Sequence, residues 1–303
     1  MKKTIIFKPL ISIIINCHNA SNYISESIKS VLKQSYGNWE LIIYDNNSKD
    51  KTFTTIKKFF KNKKIKYYKS KSFLNLYDAR NLAIKKTKGE FIAFLDSDDW
   101  WTKDKLKKQV SFLSRNKNIN IIYSNLYLFD EIKKKKKIFS YNKLYNGYIT
   151  QDLLNDFKMP ILTTLIRKKI FEKYKFDKSY NIIGDFDLFI KISLKEKILS
   201  TQEPLAYYRI HQSNMSTRRL DLNISELENW VIKNEFKNLF KGLSCLNIYK
   251  KIKTLKIKNS LLNGNKIETI KELFKKPVDL YNFKFFPFIF IPNKITKKLF
   301  RND

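Results

Sequence analysis

The chain has 303 residues, 43% of them hydrophobic, with 24 Phe and 17 Tyr, which is enough to bury a core and too aromatic for a disordered polymer. Its 61 Lys and Arg against 28 Asp and Glu give a net charge of +33; two cysteines make no disulfide framework, and two histidines leave any metal to carboxylates. The charge does not select nucleic acid, because 54 of the basic residues are Lys rather than the bidentate Arg and they are spread along the chain, so composition accounts for most of it while a membrane-surface or phosphate role stays open.

No stretch reaches the about 18 uninterrupted apolar residues of a membrane span. Thr4–Cys17 is apolar but broken by Lys8 and Pro9, with no small-residue cleavage site, so it does not read as a signal peptide. In chain order, Ile11–Ile15 is a β-branched run, as in a strand buried on both faces. Ile24, Ile28, Val31 and Leu32 form a helical stripe that Ser21 could cap. Glu40–Asp45 reads as a second strand, followed by the polar turn 46–50 and a helix with Phe53, Ile56, Phe59 and Phe60 inward. A third strand covers Ile65–Tyr68, a helix Leu76–Thr87 stops at Gly89, and a fourth strand Phe91–Leu95 runs into Asp96, Asp98 and Asp99. Alternation of this kind predicts an α/β fold with a mostly parallel sheet, whose ligands gather at the carboxyl ends of the strands.

The second half reads as strands Ile119–Phe129, Ile161–Ile166 and Leu205–His211, a helix Asp185–Lys195, and a Lys133–Lys137 turn. Beyond Leu220 the pattern turns helical and Lys-rich. We therefore expect a catalytic-type domain over residues 1–220 and a basic helical region over 221–303. The run Phe285, Phe286, Phe288, Ile289 and Phe290, with Lys284, Lys294, Lys297 and Lys298, could lie in an anionic leaflet or dock on the main domain.

The aspartates after the fourth strand carry the chemistry. Strand geometry would put Asp96 and Asp98 on one face, suited to a hard divalent cation with positions left for a diphosphate. A helix from about Lys103 would need one Asp as its cap, and Asp99 could be that cap or a group that supports the other two from behind; three Asp are a surplus.

Phe91–Trp100, with its Asp-Ser-Asp-Asp, resembles the DxD segment of family 2 glycosyltransferases, which have the GT-A nucleotide-sugar fold. Ser12–Asn19 resembles that family's opening strand and turn, with Asn16, Cys17 and His18 in place of Pro-Thr-Tyr but Asn19 kept. Tyr44–Thr52 is similar to its second-strand motif, Ala79-Arg80-Asn81 to the helix leading into the DxD strand, Gly184–Leu188 to its acceptor-side motif, and Tyr207–His211 to its Tyr-Arg-x-His stretch. The resemblance implies that Asp45 contacts the nucleotide base, Asp98 holds Mn²⁺ or Mg²⁺, and Asp96 orients the ribose or shares the metal. It makes Asp185 the general base. Arg80 either grips the phosphates or pairs with a strand-end Asp, and His211 either reaches the diphosphate or metal or only packs. Asp187 reads as a surface helix charge, Cys17 as a buried small residue. Gly184 stands where the family often has Glu.

The resemblance further implies an inverting transfer of one sugar from a nucleotide-sugar, a UDP-sugar by preference, to a glycan or lipid-linked acceptor. With no Gln/Arg-x-x-Arg-Trp motif and no span, single addition is expected, in the cytoplasm or at the inner membrane face, with peripheral membrane contact open and no nucleic-acid partner. The competing readings are a basic binding protein for polyanions or membranes and a nucleotidyltransferase, which would need a Gly-rich loop that Asn16–Ser21 lacks.

Overall fold

The structure, a computed structural model, describes residues 7–211, 214, 219–236, 239–275, 280–293 and 295–296. They fall into two compact units, Met1–Leu153 with Phe157–His211, and Leu154–Asp156 with Gln212–Asp303. The expected ends Thr4–Ile6, Lys294, Lys297 and Lys298 lie outside the described residues.

The first unit is built on β1 (Ile11–Cys17), β2 (Trp39–Asp45), β3 (Ile65–Lys69) and β4 (Phe91–Phe94), joined by helices α1 (Ile24–Leu32), α2 (Thr52–Lys57) and α3 (Leu76–Ile84). β1 pairs in parallel with β2 and with β4, and β2 with β3. β1 and β2 carry the apolar runs Ile13–Ile15 and Leu41–Ile43 because both of their faces are covered. After β4 come β5 (Trp100–Trp101), α4 (Lys105–Arg115), β6 (Ile121–Asp130), β7 (Lys135–Ile138), α5 (Thr150–Asn155), β8 (Leu165–Arg167), α6 (Ile170–Lys173), α7 (Gly184–Ser193) and β9 (Ile198–Ile210). The strand order is β3-β2-β1-β4-β8-β6-β9-β5, with β7 on β6. β6 runs parallel to β9, so most of the pairing by length is parallel; β8, β7 and β5 join antiparallel. This α/β arrangement is the expected one.

Gly89 sits hard against β1: a Cβ there would lie 2.6 Å from the Ser12 amide nitrogen and 2.7 Å from the Leu10 carbonyl oxygen. The Gly89 amide instead donates to Ser12 Oγ (2.8 Å), and Ser12 Oγ donates to Glu40 Oε1 (2.6 Å). The glycine serves this close approach rather than stopping α3, which ends at Ile84.

Several local expectations are corrected. Ser21 does not cap α1, whose preceding residue is Tyr23. Phe53 and Phe60 are exposed and group with Tyr67, while Ile56 alone of the stripe is fully buried. Lys135–Lys137 lie on β7, paired with β6, and the turn precedes them. Ile161–Thr163 is a 3-10 turn, with only Leu165–Arg167 extended.

The second unit contains α8 (Leu220–Phe236), α9 (Leu246–Asn263), α10 (Lys266–Phe274) and a 3-10 helix, Leu280–Ile289. Gly264 ends α9 in the left-handed region (φ +76°), and Asn265 caps α10 by accepting from the Glu268 amide at 3.1 Å. Ile257, Leu261, Leu273, Phe285 and Ile289 make its core. The aromatic run is therefore divided: Phe285 and Ile289 pack inward, Phe286 and Phe290 do not.

Candidate active site

The carboxyl ends of β1 and β2 are stitched together before any ligand arrives. The Asn46 amide donates to the Cys17 carbonyl (2.8 Å), and the Asn19 amide to Ser48 Oγ (2.9 Å). Asn19 takes a left-handed φ of 50°, which places its Oδ1 2.9 Å from the Lys49 amide that donates to it. Asp45 is 0% exposed; its Oδ1 accepts from the Ser48 amide (2.8 Å) and its Oδ2 from the Tyr67 hydroxyl (2.7 Å). The residue expected to touch a base thus shapes the turn, and the exposed residues at this end of the sheet include His18, Asn19, Lys49 and Asp50. His18 Nδ1 donates to the Asn46 carbonyl (2.8 Å), leaving Nε2 to accept from Asn19 Nδ2 (3.2 Å). Burial, and then the charges of Asp45 and Asp50, push the Cys17 thiol well above its usual pKa, so it is no nucleophile.

Beyond β4 the chain turns rather than continuing extended: the Asp99 amide donates to the Asp96 carbonyl at 3.2 Å. Asp96 and Asp98 are therefore set by a turn, not by a shared strand face. Asp96 Oδ1 accepts from Arg80 Nη2 (2.7 Å), and Arg80, only 4% exposed, lies beside the Tyr77 and Phe176 rings. Of its two alternatives, Arg80 is seen in the ion pair. Burial raises the Asp96 pKa; Arg80 opposes that, while Asp98 and Asp185 add to it, so these three carboxylates share one field.

Asp99 is not a helix cap, since α4 starts only at Lys105 and β5 intervenes. Its Oδ1 accepts from the Arg209 amide (2.8 Å), and its buried Oδ2 has no hydrogen-bond partner among the described residues. Burial, then the charges of Asp98 and Asp96, push its pKa well above the usual carboxylate value. Arg209 also donates from Nε to the Asp98 carbonyl (2.8 Å), and its Nη atoms reach Glu131 (3.3 Å) and Glu26. No role was assigned to Arg209 from sequence; its place two residues before His211 in the Tyr-Arg-x-His stretch was the available signal.

His211 closes the site. Its Nε2 donates to Asp98 Oδ2 at 2.9 Å, and its side chain is 7% exposed. It is thus joined to the aspartate cluster. The Asp98 carboxylate suits a hard cation such as Mn²⁺ or Mg²⁺, and His211 Nε2 could join it, for Mn²⁺, only by giving up the proton it donates to Asp98, with the remaining positions left to phosphate oxygens and water. Among the described residues no group of three or more His, Cys, Asp or Glu forms a complete metal cage. The residues fit a cation that arrives with its nucleotide.

Asp185, in the first turn of α7, is tied to the same cluster through Tyr77. The Tyr77 hydroxyl donates to the Ile182 carbonyl (2.7 Å) and lies 3.3 Å from Asp185 Oδ1, which also accepts from the Phe186 amide (3.0 Å). A Cβ on Gly184 would stand 2.5 Å from the Tyr77 ring. The glycine that departs from the family pattern is thus the partner of Tyr77, which fills the space a Glu would need. Asp187, expected at the surface, is buried and paired with Lys191 at 2.7 Å.

A parallel sheet with carboxylates at its carboxyl edge, on this strand order, defines the GT-A class of sugar-nucleotide enzymes. Residues 12–192 match the family described as Glycosyl transferase family 2, and the chain belongs to it: it is a glycosyltransferase. It is 34% identical over 214 residues, 69% of this chain and 81% of the other, to the Escherichia coli UDP-Glc:alpha-D-GlcNAc-diphosphoundecaprenol beta-1,3-glucosyltransferase WfgD. Two solved structures share the fold. TarS 1-349 of S. aureus in complex with UDP-GlcNAc has a TM-score of 0.57 at 15% identity, over 96% of this chain and 91% of that one. Mannosyltransferase PcManGT of Pyrobaculum calidifontis in complex with GDP-Man and Mn²⁺ has a TM-score of 0.58 at 11% identity, over 98% and 86%. Family membership decides against a binding protein that uses the sheet only as scaffold.

Proposed function

We propose that this enzyme moves one sugar from a nucleotide-sugar, a UDP-sugar by preference, onto a hydroxyl of a lipid-linked glycan, with inversion, in the cytoplasm at the inner membrane face. The observation that carries the reading is the set of contacts at the carboxyl edge of the sheet: Asp96 on Arg80 at 2.7 Å, Asp98 on His211 at 2.9 Å, and Asp185 3.3 Å from the hydroxyl of Tyr77, whose ring lies beside Arg80. Two named proteins support the donor and acceptor classes: the E. coli relative, whose name gives UDP-Glc and a diphosphoundecaprenol-linked sugar, and TarS with its UDP-GlcNAc.

Asp185 takes the proton of the attacking hydroxyl, with one carboxylate oxygen oriented by the Tyr77 hydroxyl and the Phe186 amide. Asp96, steadied by Arg80, faces the ribose, and Asn19 with the turn shaped by Asp45 receives the base. Asp98, with His211 beside it, would hold Mn²⁺ or Mg²⁺, and such a cation would supply positive charge to the leaving diphosphate. Residues 1–220 form the catalytic region and 221–303 an accessory one.

The test is transfer from UDP-glucose, UDP-GlcNAc and GDP-mannose to a GlcNAc-diphosphate-polyprenol, with Mn²⁺, Mg²⁺ or EDTA. Asp185→Asn should still bind donor while transfer falls by about 10²–10⁴-fold, and Asp98→Ala should lose metal-stimulated turnover. Unchanged transfer by Asp185→Asn removes the base; activity that survives both EDTA and Asp98→Ala removes the metal.

A further inference from the structure

α10 is amphipathic in the unexpected sense. Ile267, Ile270 and Phe274, spaced i, i+3 and i+7 on one face, are all exposed, Ile267 to 70%. The face that packs inward carries Thr269, Glu272 and Leu273. Its acidic groups are turned toward Lys256, whose pKa is raised first by the Glu228 hydrogen bond at 2.6 Å and further by the charges of Glu228, Glu272 and Glu268. Acid is thus drawn inward, while Lys271 and Lys275 stay at the surface beside the apolar stripe.

The 3-10 helix continues the pattern. It packs against α10, with the Phe274 and Phe283 rings 5.5 Å apart and edge to face. Phe285 and Ile289 anchor it in the core, and Leu280, Tyr281, Phe286 and Phe290 are exposed, Phe290 to 74%. Lys284 lies over the Tyr281 ring at 3.4 Å. Large apolar side chains left outward on two adjoining elements, among lysines, mark an interaction surface rather than scattered exposure.

We propose that this surface of the second unit docks on an anionic lipid bilayer, with Ile270, Phe274, Phe286 and Phe290 entering the headgroup boundary and the lysines meeting lipid phosphate. Charge decides the occupant. Residues 221–303 hold 17 basic and 8 acidic residues, and the whole chain carries +33, so a second copy is repelled where an anionic leaflet is attracted. The inference stands apart from the sugar chemistry and fails or holds independently of it.

The experiment is co-sedimentation of the full chain with phosphatidylcholine vesicles, with and without phosphatidylglycerol, at about 0.15 M salt. Binding to the anionic vesicles is expected, and Phe274→Ser with Phe286→Ser and Phe290→Ser should weaken it at least tenfold while the melting temperature holds. Should that variant unfold, Ile267→Ser with Ile270→Ser serves in its place, and Lys271→Glu with Lys284→Glu should weaken binding to a similar degree. Undiminished vesicle binding by the serine variants overturns the proposal, because the chain then acts as a diffuse polycation. Absence of vesicle binding, or self-association in its place that the serine variants abolish, overturns it as well.

Discussion

Arg209 joins parts of the catalytic unit that are far apart in sequence. Its amide holds Asp99, its Nε the Asp98 carbonyl, and its guanidinium reaches Glu26 of α1 and Glu131 beyond β6. Its flat faces meet Tyr23 and Trp100, with the guanidinium carbon 4.9 and 4.6 Å from the ring centroids. A lysine keeps the charge but cannot span these partners with a planar fork. Arg209→Lys should therefore loosen the Asp96–Asp99 turn, cut transfer by about 10²-fold and raise the Mn²⁺ needed for half-maximal rate. An unchanged Mn²⁺ titration would show that the turn holds its shape without the fork. Lys105 illustrates the opposite case of legibility. In sequence it is one of 54 lysines, yet it is fully buried over the Trp101 ring, with Nζ donating to Gln109 Oε1 at 2.8 Å, and its pKa lies well below the usual value because burial disfavours the charge. Nothing local in the sequence distinguishes such a lysine from a solvated one.

At the scale of elements, the seating of α7 against α3 positions Asp185, the proposed base. The absent side chain at Gly184 leaves room for the Tyr77 ring, which is 1% exposed and stacked on Phe176 at 5.6 Å. Gly184→Ala would force ring and helix apart, costing roughly 1–3 kcal/mol. The expected outcome is a lower melting temperature by calorimetry, with transfer falling more than donor binding; an unaltered protein would mean that the two helices part freely. β1, β2 and β4 were legible because burial on both faces demands continuous apolar runs, and the polar residues that follow them mark the site. β5 and β7 were not. β5 is two tryptophans long and exists only because β9 offers it a partner, and β7 is made of Lys135–Ile138, with no alternation to reveal it. The environments of Asp99 and Asp187 were not legible for the same reason. Each depends on a partner brought in by the fold, Arg209 in one case and Lys191, a turn further along α7, in the other.

At the scale of the whole molecule, 61 basic residues spread along the chain face 28 acidic ones. Few carboxylates answer so many lysines, so the folded state holds uncompensated repulsion that salt relieves. Between about 0.01 M and 0.15 M salt the screening length falls from about 30 Å to about 8 Å. The melting temperature should rise by about a few degrees over that range, read by thermal denaturation in NaCl; a flat response would mean that the lysines are locally compensated.

The shortest strand has a consequence for how this site tolerates change. β5 is two residues, Trp100 and Trp101, opposite Tyr207 and Ala206 of β9. Asp98 lies just before one member of that pair, and His211 just beyond the end of the other. Their 2.9 Å contact is therefore gauged by backbone register, not by side-chain reach. Inserting or deleting one residue between Asp98 and Trp100 would shift the Asp96–Asp99 turn relative to the β5–β9 ladder and part Asp98 from His211 while every chemical group remained present. The spacing from Asp98 to Trp100 thus fixes this contact as firmly as the identity of either side chain.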